Sequence, residues 1–549
     1  MIVAHWPWRN TLLDLNWRHN AGYLLVLALV CWSQPGLTAA QNSSASYRQT
    51  LLSIQQQIEA NNPEAARALI ASTRKQYPAD GGLENLLGVV EIQQGNIRLA
   101  RKAFALAISH DPQLVSAYLN LSRIDMETAV TDLSARGEAL RLSEKAAQLQ
   151  PDNDEANYQI ATILAWGKSY QRSLDHLAKL SAKAQAEVGA EALACSNQAA
   201  LGHSAAAVQA AAALAANPDL TEQDANTCLP PLRAAHRADL IDTIFAAAGT
   251  RQPLSPAGLR ILGLAQEAES HLEEARATLE RAYAADDKSV VVLEDLARVA
   301  RTAKDEKGAL GYLAHARELQ PNDPSLPYLF GAICLDIGLY AESLKAMTEA
   351  VKLAPDNAEY NLGLGTVVSY GPDPAKALPY LTKYHSLRPQ DPAGALAIGA
   401  TYFRAKDYET AAKWLKQSVS NRKSAVDAHF YLGQIARQEG RRDEAIDELK
   451  QSLALRPDQP DVLAELGQIH VSNRNYPEAT TCLNRALELD RDNYAANFGL
   501  LELYARTGDT RREQQSKRFE EIKNKREEWD RNLMRVIEIR HDGTSSSPE

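Results

Sequence analysis

Apolar positions along this chain gather into stretches of about a dozen residues spaced three and four apart, the buried stripe of an amphipathic α-helix. The stretches come in pairs, and self-comparison gives the pairs a period of 34 residues. From Pro256 eight units follow without insertion: 256–289, 290–323, 324–357, 358–391, 392–425, 426–459, 460–493 and 494–527. Six precede them, at 46–80, 81–114, 115–153, 154–187, 188–221 and 222–255. The first of these is one residue longer, and the third carries five extra residues near Met126–Arg136. The eighth position of a unit is small (Gly88, Ser122, Ala161, Gly263, Ala297, Gly331, Gly365, Gly399, Gly433, Gly467). So is the twentieth, as in Ala65, Ala100, Ala139, Ala207, Ala275, Ala309, Ala377, Ala411, Ala445 and Ala479. The two are expected to face each other where the helices of a pair meet, and a large side chain there would overpack the seam by roughly 1–3 kcal/mol. Prolines such as Pro112, Pro151, Pro321, Pro355, Pro389 and Pro457 end the second helix, because proline lacks the next backbone donor. Asp152-Asn153 and Asp356-Asn357 then stand where a cap for the following helix is needed.

Two individual units carry the pattern almost completely. Unit 426–459 reads His429-Phe430-Tyr431-Leu432-Gly433, then Gly440, Ala445, Ser452 and Pro457. Unit 81–114 runs through Leu87-Gly88, Gly95, Ala100, Phe104, Ala107 and Pro112. With these residues recurring in register over almost all of 46–527, the chain resembles the tetratricopeptide-repeat family. The resemblance implies an all-α fold, a right-handed α-solenoid of stacked helix-turn-helix units closed by a C-terminal capping helix.

Departures from the pattern mark the boundaries. In unit 222–255, Pro230-Pro231 falls in the middle of the expected first helix, where an interior proline costs about 3 kcal/mol. That unit is expected to be a degenerate pair, bending the chain between an array at 46–221 and another at 256–527. A charged helix from about Thr510 to Arg540 follows, overlapping the last unit. Its Phe519, Ile522, Trp529, Leu533, Val536 and Ile537 recur at helical spacing and should seal the array. Residues 541–549 read as a loose tail.

The first forty residues are a separate composition, holding Trp6, Trp8, Trp17 and Trp32, four of the seven tryptophans. An apolar run of twelve residues, Ala21–Trp32, is shorter than the roughly twenty a membrane-spanning helix needs. Thr38 and Ala40 suit cleavage before Gln41, so 1–40 reads as a signal peptide and 41–45 as a linker. Val30 before Cys31 excludes a lipidation site, which needs a small residue there. The chain is therefore expected in the periplasm, cell envelope or outside the cell, the alternative being an N-terminal anchor in the inner membrane. Asn42 and Asn120 begin glycosylation triplets that carry little weight.

Charge and chemistry narrow the function. With 59 basic and 69 acidic residues the net charge is −10, which argues against nucleic acid as a partner. There is no HExxH, CxxC pair, phosphate-binding loop or GxSxG, and no cofactor, metal or small-molecule substrate is expected. Gly363-Leu364-Gly365 looks like part of a dinucleotide loop, but its glycines fall at the sixth and eighth positions of a first helix, where packing explains them. Cys195 and Cys228 stand 33 apart on neighbouring first helices and read either as a disulfide or as buried thiols at a seam.

In the family resembled, the second, fifth, ninth, twelfth and thirteenth positions of the first helix line a concave groove. Carried onto this chain, that face holds Arg298, Arg301, Tyr328, Tyr370, Phe403, Arg404, Phe430, Gln434, Arg437 and Gln438, with Phe498 and Arg506 beyond. Arginine supplies planar paired donors and aromatics supply contact area at low entropic cost, a mixture suited to an extended and acidic peptide or a partner helix. The Lys and Asn of the family's carboxylate clamp are paired in no unit. The expected function is non-enzymatic: an exported scaffold that binds another protein along this face. The alternative is an accessory subunit of an envelope enzyme or of a secretion or polysaccharide-export machine. Mass spectrometry of the mature chain should find its N-terminus at or near Gln41; recovery of Met1 on a membrane-embedded chain would make the segment an anchor.

Overall fold

The computed structural model describes residues 41–533, 538–539 and 545–546, and side chains over 47–527. The segment expected to be a signal peptide lies outside the described residues. Helix pairs stack as an α-solenoid, and eleven expected unit starts fall on the first residue of a helix: Gly81, Val115, Asp154, Val188, Glu222, Pro256, Val290, Ala358, Pro392, Pro460 and Tyr494. The stretch expected to be a linker is instead helical, the first helix running Gln41–Glu59. Ser43, Ser44 and Ser46 are tolerated there because serine costs a helix only a few tenths of a kcal/mol of propensity, about 0.5 at most. The described residues sort into two compact units that part between Leu254 and Ser255.

The contact on which each pair is built is a close approach of the first helix to a side chain sixteen residues on. A methyl group added at Gly263 would stand 2.7 Å from Leu279, at Gly365 2.5 Å from Leu381, and at Gly467 2.6 Å from Leu483. The eighth position thus meets the twenty-fourth rather than the twentieth, whose backbone carbonyl lies just behind (3.3 Å for Ala275 and Ala445). The twentieth-position alanines are nonetheless wholly buried. In the first unit the buried alanine is Ala66, not Ala65, because the extra residue of that unit lies before it. Where serine replaces alanine, its hydroxyl is satisfied inside the seam: Ser173 donates to the Ala161 carbonyl at 2.6 Å and Ser343 to that of Gly331 at 2.7 Å. Asn153 and Asn357 cap the next helices as their positions suggest, accepting from the amides of Ala156 and Tyr360.

Cores are shared between neighbours. Ala445 and Leu449 of one pair close on Val462, Leu466 and Ile469 of the next, all buried. The terminal helix, Arg512–Leu533, seals the array with Phe519 against Tyr494 and Phe498, at ring separations of 4.9 and 5.5 Å, and with Ile522 buried. It does not reach Arg540: Glu538–Ile539 pair antiparallel with Ser545–Ser546. A β-branched sequence, Val536-Ile537-Glu538-Ile539, followed by the turn-forming Asp542-Gly543 favours a short ladder over a helix. The side chains of Trp529, Leu533, Val536 and Ile537 lie outside the described residues.

The pair at 222–255 is not degenerate. Both prolines lie inside the helix Glu222–Ala234, which is opened by a capping box between Thr221 and Asp224. The carbonyls that Pro230 and Pro231 leave without an amide donor belong to Asn226 and Thr227, both exposed residues, where solvent is at hand to replace the missing donors. This helix packs on Val188–Ala200, and its partner Ala238–Arg251 packs on Ser204–Ala216.

Every described residue with a left-handed backbone sits at the joint between the two helices of a pair. Gly95, Gly202, Gly338, Gly440 and Gly508 hold φ between 70° and 78°, and Asn61, Lys168, His236, Ser270, Lys304, Lys406 and Arg474 hold the same conformation with a side chain. A side chain there costs about 1–2 kcal/mol, partly offset in glycine by unfolded-state entropy of roughly 0.4–1 kcal/mol. Lys304→Gly, Lys406→Gly and Arg474→Gly should each raise the urea midpoint of their unit, by about 0.5–1 kcal/mol of stability, and Gly440→Lys should lower it.

Candidate functional site

The face predicted for binding lies in the unit that begins at Ser255, and its residues come from the helices Val290–Thr302, Ser325–Asp336, Ala358–Ser369, Pro392–Arg404 and Arg422–Gln438, with Tyr370 just past the third. Contacts between side chains 28 to 35 residues apart show that successive first helices present one continuous row.

Three of the four arginines expected to meet a partner are occupied within the protein. Arg298 bonds to Glu267 of the preceding helix pair and to Asp295 at 2.6 Å. Burial works against its charge, but the Asp295 and Glu267 hydrogen bonds outweigh burial and raise its pKa. Arg301 pairs with Asp336 of the next first helix at 2.6 Å. Arg437 pairs with Glu465 and donates to Gln468 Oε1 at 3.1 Å. Asp295 is itself shared with Arg260, at 2.5 Å. Farther along, Arg506 turns back on Glu502 of its own helix, and Phe498 packs under Phe519. These charges knit neighbouring helices together rather than wait for a ligand.

Aromatic residues and Arg404 form the remainder of the site. Tyr370 is 55% exposed. The Arg404 guanidinium carbon lies 4.5 Å from the centre of the Tyr370 ring, and its two terminal nitrogens donate to Ser369 Oγ and Tyr431 Oη, each at 3.3 Å. Phe403 packs against Tyr408 and Tyr431, at 5.7 and 5.3 Å, and Phe430 against Tyr431 at 5.9 Å. Burial pushes the Tyr431 phenol pKa up and Arg404 only partly opposes it, so the group is neutral. Gln434 is half-buried and Gln438 exposed on the same helix. Tyr328 stands apart, half-buried against Tyr360 at 4.9 Å, in space that Gly363 leaves open: a methyl there would come within 2.8 Å of the Tyr328 ring. Packing therefore accounts for Gly363 and Gly365 in full.

Tyr431 and Ser369 escaped the sequence reading. Ser369 occupies the twelfth position of its unit but is neither arginine nor aromatic, and Tyr431 occupies the sixth position, outside the five that line the groove in the family. The available signal was that the sixth position carries a carboxylate in two other units, Asp295 and Glu465.

Cys195 and Cys228 are free thiols, both buried. Their sulfurs point to the Ala207 and Ala192 carbonyls, at 3.9 and 3.6 Å, and burial pushes both thiol pKa values up to about 12. Neither is a nucleophile at neutral pH. In the other compact unit an open groove of about 670 Å³ is floored by Leu174, Leu177, Ala190 and Ala194 and rimmed by Asp175 and Glu191. It exists because the second helix there, Tyr170–Leu177, is cut short where Ser181 donates twice to the Asp154 carboxylate at 2.6 Å. Among the described residues no group of His, Cys, Asp and Glu is placed to hold a metal ion, and no helix is long and apolar enough to cross a membrane.

Family models for the tetratricopeptide repeat match residues 55–115, 396–460 and 436–496. No curated protein matches the sequence. Among solved structures, the chain is similar to the APC/C hetero-tetramer Cut9-Hcn1, at 14% identity over 85% of this chain and 98% of that one, with a TM-score of 0.38. It is similar to yeast Tom70 at 14% identity, over 79% of this chain and 97% of the other, with a TM-score of 0.38. It is also similar to PilF of Pseudomonas aeruginosa at 18% identity, covering 37% of this chain and 90% of that one, with a TM-score of 0.32.

Removing a cross-helix arginine should therefore act on stability. Arg298→Ala leaves Glu267 without its partner and Asp295 with one arginine instead of two, and should destabilise the unit beginning at Ser255 by roughly 1–2 kcal/mol, between the values of an exposed pair and of a charged hydrogen bond. Chemical denaturation of the purified chain reads this directly.

Proposed function

Because this chain is a tetratricopeptide-repeat protein, we propose that it serves as an exported scaffold that holds a protein partner along the concave face of its first helices, between residues 290 and 459. Binding of protein partners is the general activity of such repeats. The observation that supports this face is that three successive repeats contribute Tyr370, Phe403 and Phe430 to it, with Tyr370 more than half exposed. Aromatic side chains that are already ordered lose little entropy on binding, so an extended segment laid across them gains area at small cost. The salt bridges on either side, Arg301 to Asp336 and Arg437 to Glu465, hold the helices that carry this row before any partner arrives. Export rests on the composition of residues 1–40, whose apolar run is the length of a signal core.

Photocrosslinking of the mature chain in its own cell extract, followed by a binding measurement with the captured protein, tests the proposal. The triple change Tyr370→Ala, Phe403→Ala and Phe430→Ala should weaken binding by at least about 30-fold, the equivalent of ~2 kcal/mol for a lost anchor. Lys416→Ala with Lys450→Ala, on exposed positions of the second helices, should change it less than about twofold. Equal losses in the two variants would place the interaction on the outer surface instead.

A further inference from the structure

Four arginines on this face were candidates for reading a partner, and the structure separates one from the other three. Arg298, Arg301 and Arg437 each have a carboxylate. Arg404 has none: its polar partners among the described residues are two neutral hydroxyls, Ser369 Oγ and Tyr431 Oη. The sixth position of the following first helix supplies two carboxylates of this face. Arg437 finds Glu465 at the sixth position of the next first helix, and Arg260 finds Asp295 at the sixth position of its own next helix. Arg404, one position later in its unit than Arg437, reaches Tyr431 at that sixth position. A phenol stands where those two repeats supply a carboxylate.

We infer that Arg404 is the recognition residue of this face, and that the partner segment presents an aspartate or glutamate side chain to it. The inference rests on the reading of the face as a docking groove and names the chemistry of what docks.

The geometry supports a site rather than a stranded cation. A guanidinium carries five N–H donors, and only two are used here, both in long 3.3 Å bonds. Stacking on the exposed Tyr370 ring at 4.5 Å fixes the plane of the fork without neutralising it. Ser369 is buried and its hydroxyl donates to the Thr366 carbonyl at 2.7 Å, so it meets Arg404 only as an acceptor. Tyr431 is held in place by Phe403 and Phe430 on either side. The result is a half-buried, oriented, charged fork with three donors to spare, beside an aromatic surface. A carboxylate arriving there makes charge-assisted bonds without having to order the arginine first. In a chain of net charge −10 an acidic ligand is repelled at long range, so a single uncompensated arginine selects where along the face that acid is tolerated.

The test uses random dodecapeptides displayed on phage and selected on the purified full chain, with the enriched peptides then synthesised and titrated. The expected result is an Asp or Glu at one fixed place among apolar neighbours, whose change to Asn or Gln weakens binding tenfold or more. On Arg404→Gln the acidic peptide and its amide should bind alike; on Lys416→Gln the acid preference should be unchanged. Arg404→Lys, which keeps the charge but loses the fork, should retain only part of the preference. Tyr431→Glu should abolish it while leaving Arg404 in place, because the carboxylate missing from this repeat is then supplied from within. Acid preference that survives Arg404→Gln overturns the inference, as does enrichment of peptides without an acid that still depend on Tyr370, Phe403 and Phe430; the groove reading then stands. Peptides that bind the triple alanine variant as well as the native chain overturn the groove reading itself.

Discussion

The structure depends on how closely the first helix of each pair can approach the second. At Gly263, Gly365, Gly399, Gly433 and Gly467 no side chain larger than hydrogen fits against the leucine sixteen residues on. That one distance sets the pairing, and the pairing presents the remaining apolar stripe of each helix to the next unit. The consequence is a core without a centre: Ala436, Leu449 and Leu466 belong to one cluster, Ala411, Leu432 and Ile435 to the one before it, and neither can form without its neighbour. Burial is achieved by succession, so the outer residues of the first helices are left to other tasks.

Those tasks divide between holding the array and meeting a ligand, and the same residue type performs both. A guanidinium opposite Asp336 or Glu465 ties two repeats together; a guanidinium opposite Tyr431 remains charged toward the solvent. What separates the two is the residue one repeat away, not the arginine or its own neighbours in sequence. If Arg404 does read an acidic partner, specificity on this surface is written by omission, in a repeat that lacks the carboxylate its neighbours supply.

Much of the fold could be read from the sequence because its determinants are local. A period of 34 residues, a small residue at the eighth position and a helix-ending proline each act within one unit, and they placed helix starts at Glu222 and Pro460 to the residue. The errors arose where tertiary surroundings override a local rule. Pro230 and Pro231 were read as helix breakers, yet the carbonyls they orphan belong to solvent-exposed residues and the helix persists. The terminal helix was extended to Arg540 on spacing alone, although the β-branched residues after Asn532 favour strand. The site was the least legible part. Type and position gave Arg298, Arg404 and Arg437 equal standing, and no rule of spacing within a helix tells which has a carboxylate waiting 28 to 35 residues away.

The eight units from Pro256 to Glu527 follow one another with no residue added or lost. In every one of these units but 358–391, where the short 3-10 segment Pro374–Ala377 opens the second helix, a left-handed joint falls at the same place. Excision or duplication of the coding segment in multiples of 34 codons would then keep the helices in register. Length in this array is thus a variable that recombination can tune without redesigning a core. Boundaries crossed by a specific pair constrain that freedom: Arg301 and Asp336, Arg404 and Tyr431, and Arg437 and Glu465 lie on opposite sides of theirs, and separating them would part each arginine from its partner.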